Sequence, residues 1–504
     1  MKMPKDRFFR RMEAQGLALS YGDVRMRTGY SEVLPSDVLV NSLFSRNVPL
    51  NCPIISSPMD TVTERKMAIQ MAKLGGLGII HKGLNPKDQA AEVASVKFYL
   101  NGLIKKPICF QEEATIGEIE RIMEEKGYKE RFQSFPILDS DGKLVGLLTH
   151  NDFEFCLNPE LTARQVMSHE LIKAQQGIGL EEVFRMMVGN KKKVIPVVDG
   201  EGQIAGMYVY KDVKRIMTGG DPIYNLDPNG NLRVGAAIGV GEEALQRAEL
   251  LYNKGVDVVV IDTAHGDTLG AVTTLKELKR LYPGLDVVVG NISEGESARR
   301  LAEAGADGLR IGQGPGSICT TRVVAGIGCP QVTAVYNCAK AVRGIHVPVC
   351  ADGGIEDTGD ITIAMAAGAH SVMLGSMLAG TDQAPGDIIQ VSGMPMKRYR
   401  GMGSLGAMQS SMESRKRYGQ GMSLKDKLVP EGVEGVVPYK GDVEKVIVQC
   451  LGGLRAGMGY CGARNVEELQ EKADFHRISG SGLKESHPHG IIITEEAPNY
   501  KQQR

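Results

Sequence analysis

The sequence predicts an α/β fold, a (β/α)8 barrel interrupted by a smaller α+β insertion. Three observations predict it. Eight short apolar runs, at residues 53–59, 76–81, 234–238, 256–262, 286–290, 308–312, 348–351 and 371–375, are continuous and rich in Val, Ile and Leu. Strands buried on both faces read this way, as parallel barrel strands do. Helical patterns follow most of them, at 64–74, 242–254, 273–281, 296–304, 331–342 and 360–367. Lastly, nearly every run closes on polar residues or glycines, where barrel enzymes place their chemistry. The alternative for the same pattern is a doubly wound open sheet.

The bulk numbers agree with an ordinary globular protein. The chain has 504 residues, enough for two or more domains with a sizeable core. Its hydrophobic fraction is 42%, its charged fraction 24% and its net charge −1, which points to neither a nucleic-acid nor a membrane surface. No apolar stretch approaches the roughly 18 residues of a membrane span. Nine cysteines without a CxxC pair indicate reduced, intracellular usage, and a cytoplasmic location is expected. The 62 glycines cluster at the ends of apolar runs, as tight strand-to-loop turns require.

The expected organisation is a first barrel part at 1–102, an insertion at 103–221 and a second barrel part at 222–504. The insertion holds an internal repeat. Phe135-Pro136-Ile137-Leu138-Asp139 matches Ile195-Pro196-Val197-Val198-Asp199 at an offset of 60, and Gly142, Gly146 and Asp152 match Gly202, Gly206 and Asp212 in the same register. A second irregular region, 381–440, is rich in Gly, Met, Ser and charge, with little apolar periodicity. A loop of this length in a compact domain is usually functional, and its composition suggests a mobile lid.

The chemistry concentrates in Gly314-Pro315-Gly316-Ser317-Ile318-Cys319-Thr320-Thr321-Arg322. Two glycines and a proline force an irregular backbone, and three hydroxyls and an arginine crowd one thiol. Thiolate reactivity needs partial exposure and an electropositive setting, which backbone N–H groups and Arg322 can supply. Cys319 is therefore the candidate nucleophile, whereas Cys52, Cys338, Cys350 and Cys450 read as packing residues. Gly312, Gly314 and Gly316, then Asp352-Gly353-Gly354, then Gly375-Ser376 end the sixth, seventh and eighth runs. Backbone amides approach an anion closely only where no Cβ intervenes. With hydroxyls from Ser317 and Ser376, and Asp352 to accept from a ribose diol, these loops suit a nucleoside monophosphate. Gly239-Val240-Gly241-Glu242-Glu243-Ala244 formally matches a dinucleotide fingerprint but reads as a tight βα turn.

These segments together resemble the inosine-5′-monophosphate dehydrogenase family of the IMP dehydrogenase / GMP reductase superfamily. The resemblance rests on Pro58-Met59-Asp60-Thr61-Val62-Thr63, Gly75 to His81, Asp262-Thr263-Ala264-His265-Gly266, the Cys319 loop, Ala351 to Gly354, Tyr399 to Ser404 and Pro430 to Gly435, and it covers nearly the whole chain. The repeat resembles a pair of CBS motifs (a Bateman module), many of which bind adenine or guanine nucleotides. Thr149-His150-Asn151-Asp152 fits the usual contact pattern, and Val209-Tyr210-Lys211-Asp212 lacks its hydroxyl. The Cys loop is shared with the reductases; Arg417-Tyr418, on the long flap, is the dehydrogenase mark.

The resemblance implies NAD-dependent oxidation of IMP to XMP. Cys319 forms a covalent thioimidate, which Arg417, Thr321 and Tyr418 hydrolyse. By the same resemblance Ser317, Gly354, Gly375, Ser376 and Tyr399 hold the phosphate, Asp352 the ribose, and Gly401, Met402, Gly403 and Glu431 the base. Asp262, Asn291, Arg310 and Gly312 serve the cofactor. Carbonyls of Gly314, Gly316 and Cys319 bind a monovalent cation such as potassium, completed by a neighbour's Glu485, Ser486 and His487. The family assembles as homotetramers, in some members octamers. A GMP reductase and a non-catalytic nucleotide-sensing protein are the alternatives. Gln313, Gly419, Val436 and the basic Arg25-Met26-Arg27 depart from the family's usual residues.

Overall fold

Eight parallel strands close on themselves in the computed structural model: β1 (Ile54–Ser56), β2 (Leu77–Ile80), β3 (Gly235–Ile238), β4 (Val258–Asp262), β5 (Asp286–Ile292), β6 (Gly308–Ile311), β7 (Val349–Asp352) and β8 (Ser371–Leu374), each paired with the next and β8 with β1. Closure excludes the open doubly wound sheet. The structure describes residues 3–100, 102–104, 107–125, 134–218, 223–421, 423–424, 427–495 and 497–500. The chain divides into two units, Met1–Tyr99 with Ile223–Arg504, and Leu100–Pro222. The sequence-expected start of the insertion at 103 falls just inside this unit; its expected end at 221 lies outside the described residues. No helix among the described residues is long and apolar enough to cross a membrane.

Each barrel strand is followed by a helix. Six lie where the apolar periodicity placed them, and Gln331–Val342 matches to the residue. Two were not legible. Pro86–Lys97 carries small residues on several faces, so its stripe is weak; it is announced instead by Pro86 at its first turn and by Asn85, whose side chain accepts from the Asp88 amide. Val443–Tyr460 contains four glycines, a composition that opposes helix. Tertiary packing explains them: a Cβ on Gly453 would lie 2.6 Å from Thr358 Cβ, and one on Gly457 2.6 Å from Thr362 Cγ2. The glycines let this helix approach Thr358–Ala367 at backbone distance.

The barrel interior is apolar. Ile55, Leu77, Ile79, Ala237, Val258, Val260, Val288, Cys350 and Met373 form one cluster, which Phe44, Val48 and Leu50 join from the hairpin Ser42–Ser45/Val48–Leu50. This hairpin plugs the N-terminal mouth. Ser45 Oγ donates to Asp286 at 2.6 Å and Asn47 holds the same carboxylate. Phe44, fully buried, contributes about 2–3 kcal/mol through its removal from water. The opposite mouth stays open for chemistry.

The region 381–440 is not the irregular loop its composition predicts. It contains an antiparallel sheet of β9 (Ile388–Val391), β10 (Met394–Arg400) and β11 (Glu434–Pro438), with Tyr399 opposite Gly435. β9 and β11 are largely exposed on both faces and need no apolar alternation, and the buried positions of β10 are Lys397 and Tyr399, so the apolar period-two signal is missing. The flap proper spans 401–433, with short helices Leu405–Ser410 and Met412–Arg417; its residues 422, 425 and 426 lie outside the described residues.

In the second unit the repeat is structural as well as sequential. Strands Ser134–Leu138 and Leu144–Thr149 pair antiparallel with a bulge at Ile137/Leu138, and Val194–Val198 and Ile204–Val209 pair with a bulge at Val197/Val198. Each pair leads into a helix, His150–Glu154 or Tyr210–Met217. Each repeat builds its own core, around Phe135 and Ile137 in one and Ile195 and Val197 in the other. The two meet at a bridge between Lys143 and Gln203, themselves equivalent at the offset of 60.

Candidate active site

The C-terminal mouth of the barrel holds a concave cavity, the kind of site that small molecules occupy. Cys319, Thr321, Ser317, Asp352, Gly354, Gly375, Ser376, Tyr399, Gly401, Met402, Glu431, Arg417 and Tyr418 all line it, together with Asn291, Arg310, Gly312, Gly314 and Gly316. Residues more than a hundred positions apart in sequence thus share one space.

Cys319 is partly exposed, and its Sγ–H donates to Thr321 Oγ1 at 3.1 Å. The packing cysteines differ: burial pushes the thiols of Cys52, Cys350 and Cys450 up to about 12, and that of Cys338 well above its ordinary value. The Cys loop is held by the returning chain of the flap. Val433 N–H donates to Ile318 O at 3.0 Å, Thr320 N–H to Glu431 O at 3.1 Å, and Glu431 N–H to Gly403 O at 3.0 Å. Arg322 Nε braces the loop from the other side, donating to Gln313 O at 3.1 Å.

The anion-suited glycines stand at points of close approach. A Cβ on Gly312 would lie 2.1 Å from Asp352 O, and one on Gly375 2.8 Å from the Tyr399 hydroxyl. Gly314, Gly353 and Gly354 have φ of +79°, +89° and +78°, which only glycine adopts without strain. Tyr399 is buried, and that burial raises its phenol well above the ordinary range, so it stands as a neutral donor. Asp352 Oδ2 accepts from Asn291 Nδ2 at 2.8 Å and from Arg310 Nε at 2.9 Å, with 15% of the side chain still open.

The flap lies docked over this site. Arg417 pairs with Asp262 Oδ1, which also receives Arg310 NH1 at 2.6 Å. The Arg417 carbonyl accepts from the Ala264 amide at 3.2 Å, and Lys416 pairs with Glu243. Arg417 Nε is buried without a protein partner. Its guanidinium lies 6.0 Å from the centre of the Tyr418 ring, and burial raises the Tyr418 phenol despite that cation. Asn291 Oδ1, at the cavity, is likewise buried without a hydrogen-bond partner, while Asp262 Oδ2 has only the ammonium of Lys82 at 3.7 Å.

The structure adds groups that sequence reasoning passed over. Lys82, fully buried, donates from Nζ to Asp262 O at 2.5 Å and lies 3.7 Å from its carboxylate. Burial, and then the charge of Arg417, push its ammonium well below the ordinary value. Arg400 reaches back to Asp60, with Nε 3.0 Å from Oδ2. Both lysine and aspartate stood at strand ends in the sequence, but only the fold shows their partners. Glu485, Ser486 and His487 are not among the residues lining this cavity. Ser486 Oγ donates to Gly482 O, and His487 Nδ1 lies 3.3 Å from the Tyr500 hydroxyl.

Comparison with known proteins follows the same lines. The family model described as the IMP dehydrogenase / GMP reductase domain matches residues 18–489. The chain is 48% identical over 487 residues to the inosine-5′-monophosphate dehydrogenase of Aquifex aeolicus, covering 96% of this chain and 97% of that one. It is 44% identical over 485 residues to the enzyme of the same name from Bacillus subtilis, with 96% and 97% covered. Among solved structures, a GMP reductase of Trypanosoma brucei in complex with guanosine 5′-monophosphate superposes with a TM-score of 0.84 at 38% identity, covering 95% of this chain and all of that one.

Proposed function

This chain belongs to the IMP dehydrogenase / GMP reductase family, and we propose that it is an IMP dehydrogenase. It oxidises inosine 5′-monophosphate to xanthosine 5′-monophosphate with NAD, feeding guanine nucleotide biosynthesis. The observation that carries this reading is the convergence of the Cys319–Thr321 pair and the docked Arg417–Tyr418 pair on one cavity.

The chain's residues divide the work in two stages. Ser317, Gly354, Gly375, Ser376 and Tyr399 bind the phosphate, Asp352 the ribose, and Gly401, Met402, Gly403 and Glu431 the base, so the purine C2 faces Cys319. The thiolate bonds to C2. NAD, when bound, would accept the hydride that leaves C2 with its electron pair, and Asp262, Asn291, Arg310 and Gly312 would hold the cofactor. The buried Asn291 Oδ1, at the cavity and without a hydrogen-bond partner, supports such a ligand. In the second stage the flap occupies the vacated side of the cavity. Arg417, Thr321 and Tyr418 orient a water, and Arg417, once its guanidinium has lost a proton to solvent, takes a proton from that water as oxygen bonds to C2 and the Cys319 thiolate leaves. Arginine is an unusual base, since its free pKa lies above 12; the buried, unpartnered Arg417 Nε supports the presence of a water there.

A monovalent cation such as potassium would be held by the carbonyls of Gly314, Gly316 and Cys319, with Glu485, Ser486 and His487 supplied by the partner subunit. These side chains stand outside the cavity of their own chain, which supports their serving a neighbour in a homotetramer or octamer. The Leu100–Pro222 unit is a CBS pair that takes adenine or guanine nucleotides. The enzyme works in the cytoplasm.

Purified protein given IMP, NAD and potassium should accumulate reduced nicotinamide, and no signal under these conditions refutes the reading. The likeness to a GMP reductase favours a second reading, reduction of GMP by NADPH with release of ammonia. The Arg417–Tyr418 flap argues against it, and consumption of NADPH with GMP but not with IMP would establish it.

A further inference from the structure

The Gln313 side-chain amide, which lines the cavity, is fully engaged. It is 9% exposed, set between Gly312 and Gly314 at the end of β6. Its Oε1 accepts from Ser293 Oγ, itself 4% exposed, at 2.7 Å. Its Nε2 donates to Ala264 O at 3.2 Å and lies 3.2 Å from His265 Nδ1. One side chain therefore ties the mouth ends of β4, β5 and β6 together. Ala264 is also the residue whose amide donates to the Arg417 carbonyl at 3.2 Å. A continuous run leads from Ser293 through Gln313 and Ala264 to the backbone of the flap arginine.

We propose that Gln313 is a positioning residue for the closed flap: by gripping the Ala264 carbonyl it presents the Ala264 amide to Arg417, and so sets how often the covalent intermediate has its flap closed rather than its cofactor side open. The proposal rests on the reading of Arg417 as the hydrolytic device. An apolar side chain at this position fills the same space but releases Ala264, and leaves Ser293, the Ala264 carbonyl and His265 to other partners. The flap docks on Asp262, the residue assigned to the cofactor, so flap and NAD compete for one side of the cavity. A weaker dock then favours return of NAD to the intermediate.

The test is Gln313→Met, which keeps an unbranched side chain of similar length. The first-turnover burst of reduced nicotinamide is expected to persist. Steady turnover should fall about fivefold, the weight of one neutral hydrogen bond, and inhibition by excess NAD should set in at about fivefold lower concentration. Ser293→Ala, which only frees the amide to rotate, should move both quantities the same way by less, and it carries the test if the methionine variant does not fold. A parallel fall of burst and turnover, or reduced turnover with unchanged NAD inhibition, overturns the proposal. Arg417→Ala separates the two readings: if that variant loses its burst, the hydrolytic reading itself fails; if it keeps the burst while Gln313→Met leaves NAD inhibition unmoved, only the role of Gln313 fails.

Discussion

Replacing Arg417 by alanine isolates the second half of the reaction. The fold should tolerate it. Orphaning a buried charge costs roughly 3–5 kcal/mol, but Asp262 keeps Arg310 at 2.6 Å and Lys82 at 3.7 Å when Arg417 is removed, so the cost falls well below that range. Chemistry should not tolerate it. A positioned general base contributes about 10²–10⁴-fold, which is about 3–5 kcal/mol of barrier at 1.36 kcal/mol per decade. Cys319, Thr321 and the phosphate loops are untouched, so hydride transfer proceeds once per active site. In a rapid-mixing experiment with IMP and NAD, the Arg417→Ala protein should release about one equivalent of reduced nicotinamide at the native rate and then nearly stall. The stalled enzyme should carry the mass of a nucleotide on Cys319. If burst and steady rate decline together, or no adduct accumulates, Arg417 does not hydrolyse the intermediate.

Other perturbations read different parts of the structure. Gly403→Ala would place a Cβ 2.5 Å from the Tyr418 ring, so the phenol must shift; steady turnover should drop at least tenfold and by more than the burst, as stopped-flow traces will show. In Gly78→Ala the new methyl would lie 2.4 Å from Ala68 Cα, between β2 and the helix Arg65–Lys73, where neither backbone can yield; overpacking of this kind costs about 1–3 kcal/mol and should lower the melting temperature. His370 accepts the Val349 amide on Nδ1, and burial, with the charge of Lys5 adding to it, lowers its imidazole from 6.5 to about 4. Because the folded value is depressed, its contribution is complete above pH 6.5 and is lost as pH falls through 4, up to about 3 kcal/mol. Denaturant melts across that window should show the loss, and His370→Asn should flatten it.

Much of the molecule follows from sequence alone, for a physical reason. Strands buried on both faces must be continuous apolar runs, so all eight barrel strands are written locally, while their order and closure came from the tertiary structure. The Cys319 loop is legible because its glycines, proline and hydroxyls suit no packing role. Tertiary structure decided the rest. The helix Val443–Tyr460 forms against its own glycines because Thr358 and Thr362 demand close approach. The sheet β9–β11 forms without apolar alternation because β9 and β11 are largely exposed and β10 buries Lys397 and Tyr399. The pairing of Arg417 with Asp262, the burial of Lys82 beneath it, and the grip of Gln313 on Ala264 join residues up to 180 positions apart. No periodicity encodes such contacts. They exist because closing the barrel brings the ends of distant strands to one rim, where charges removed from water must find one another.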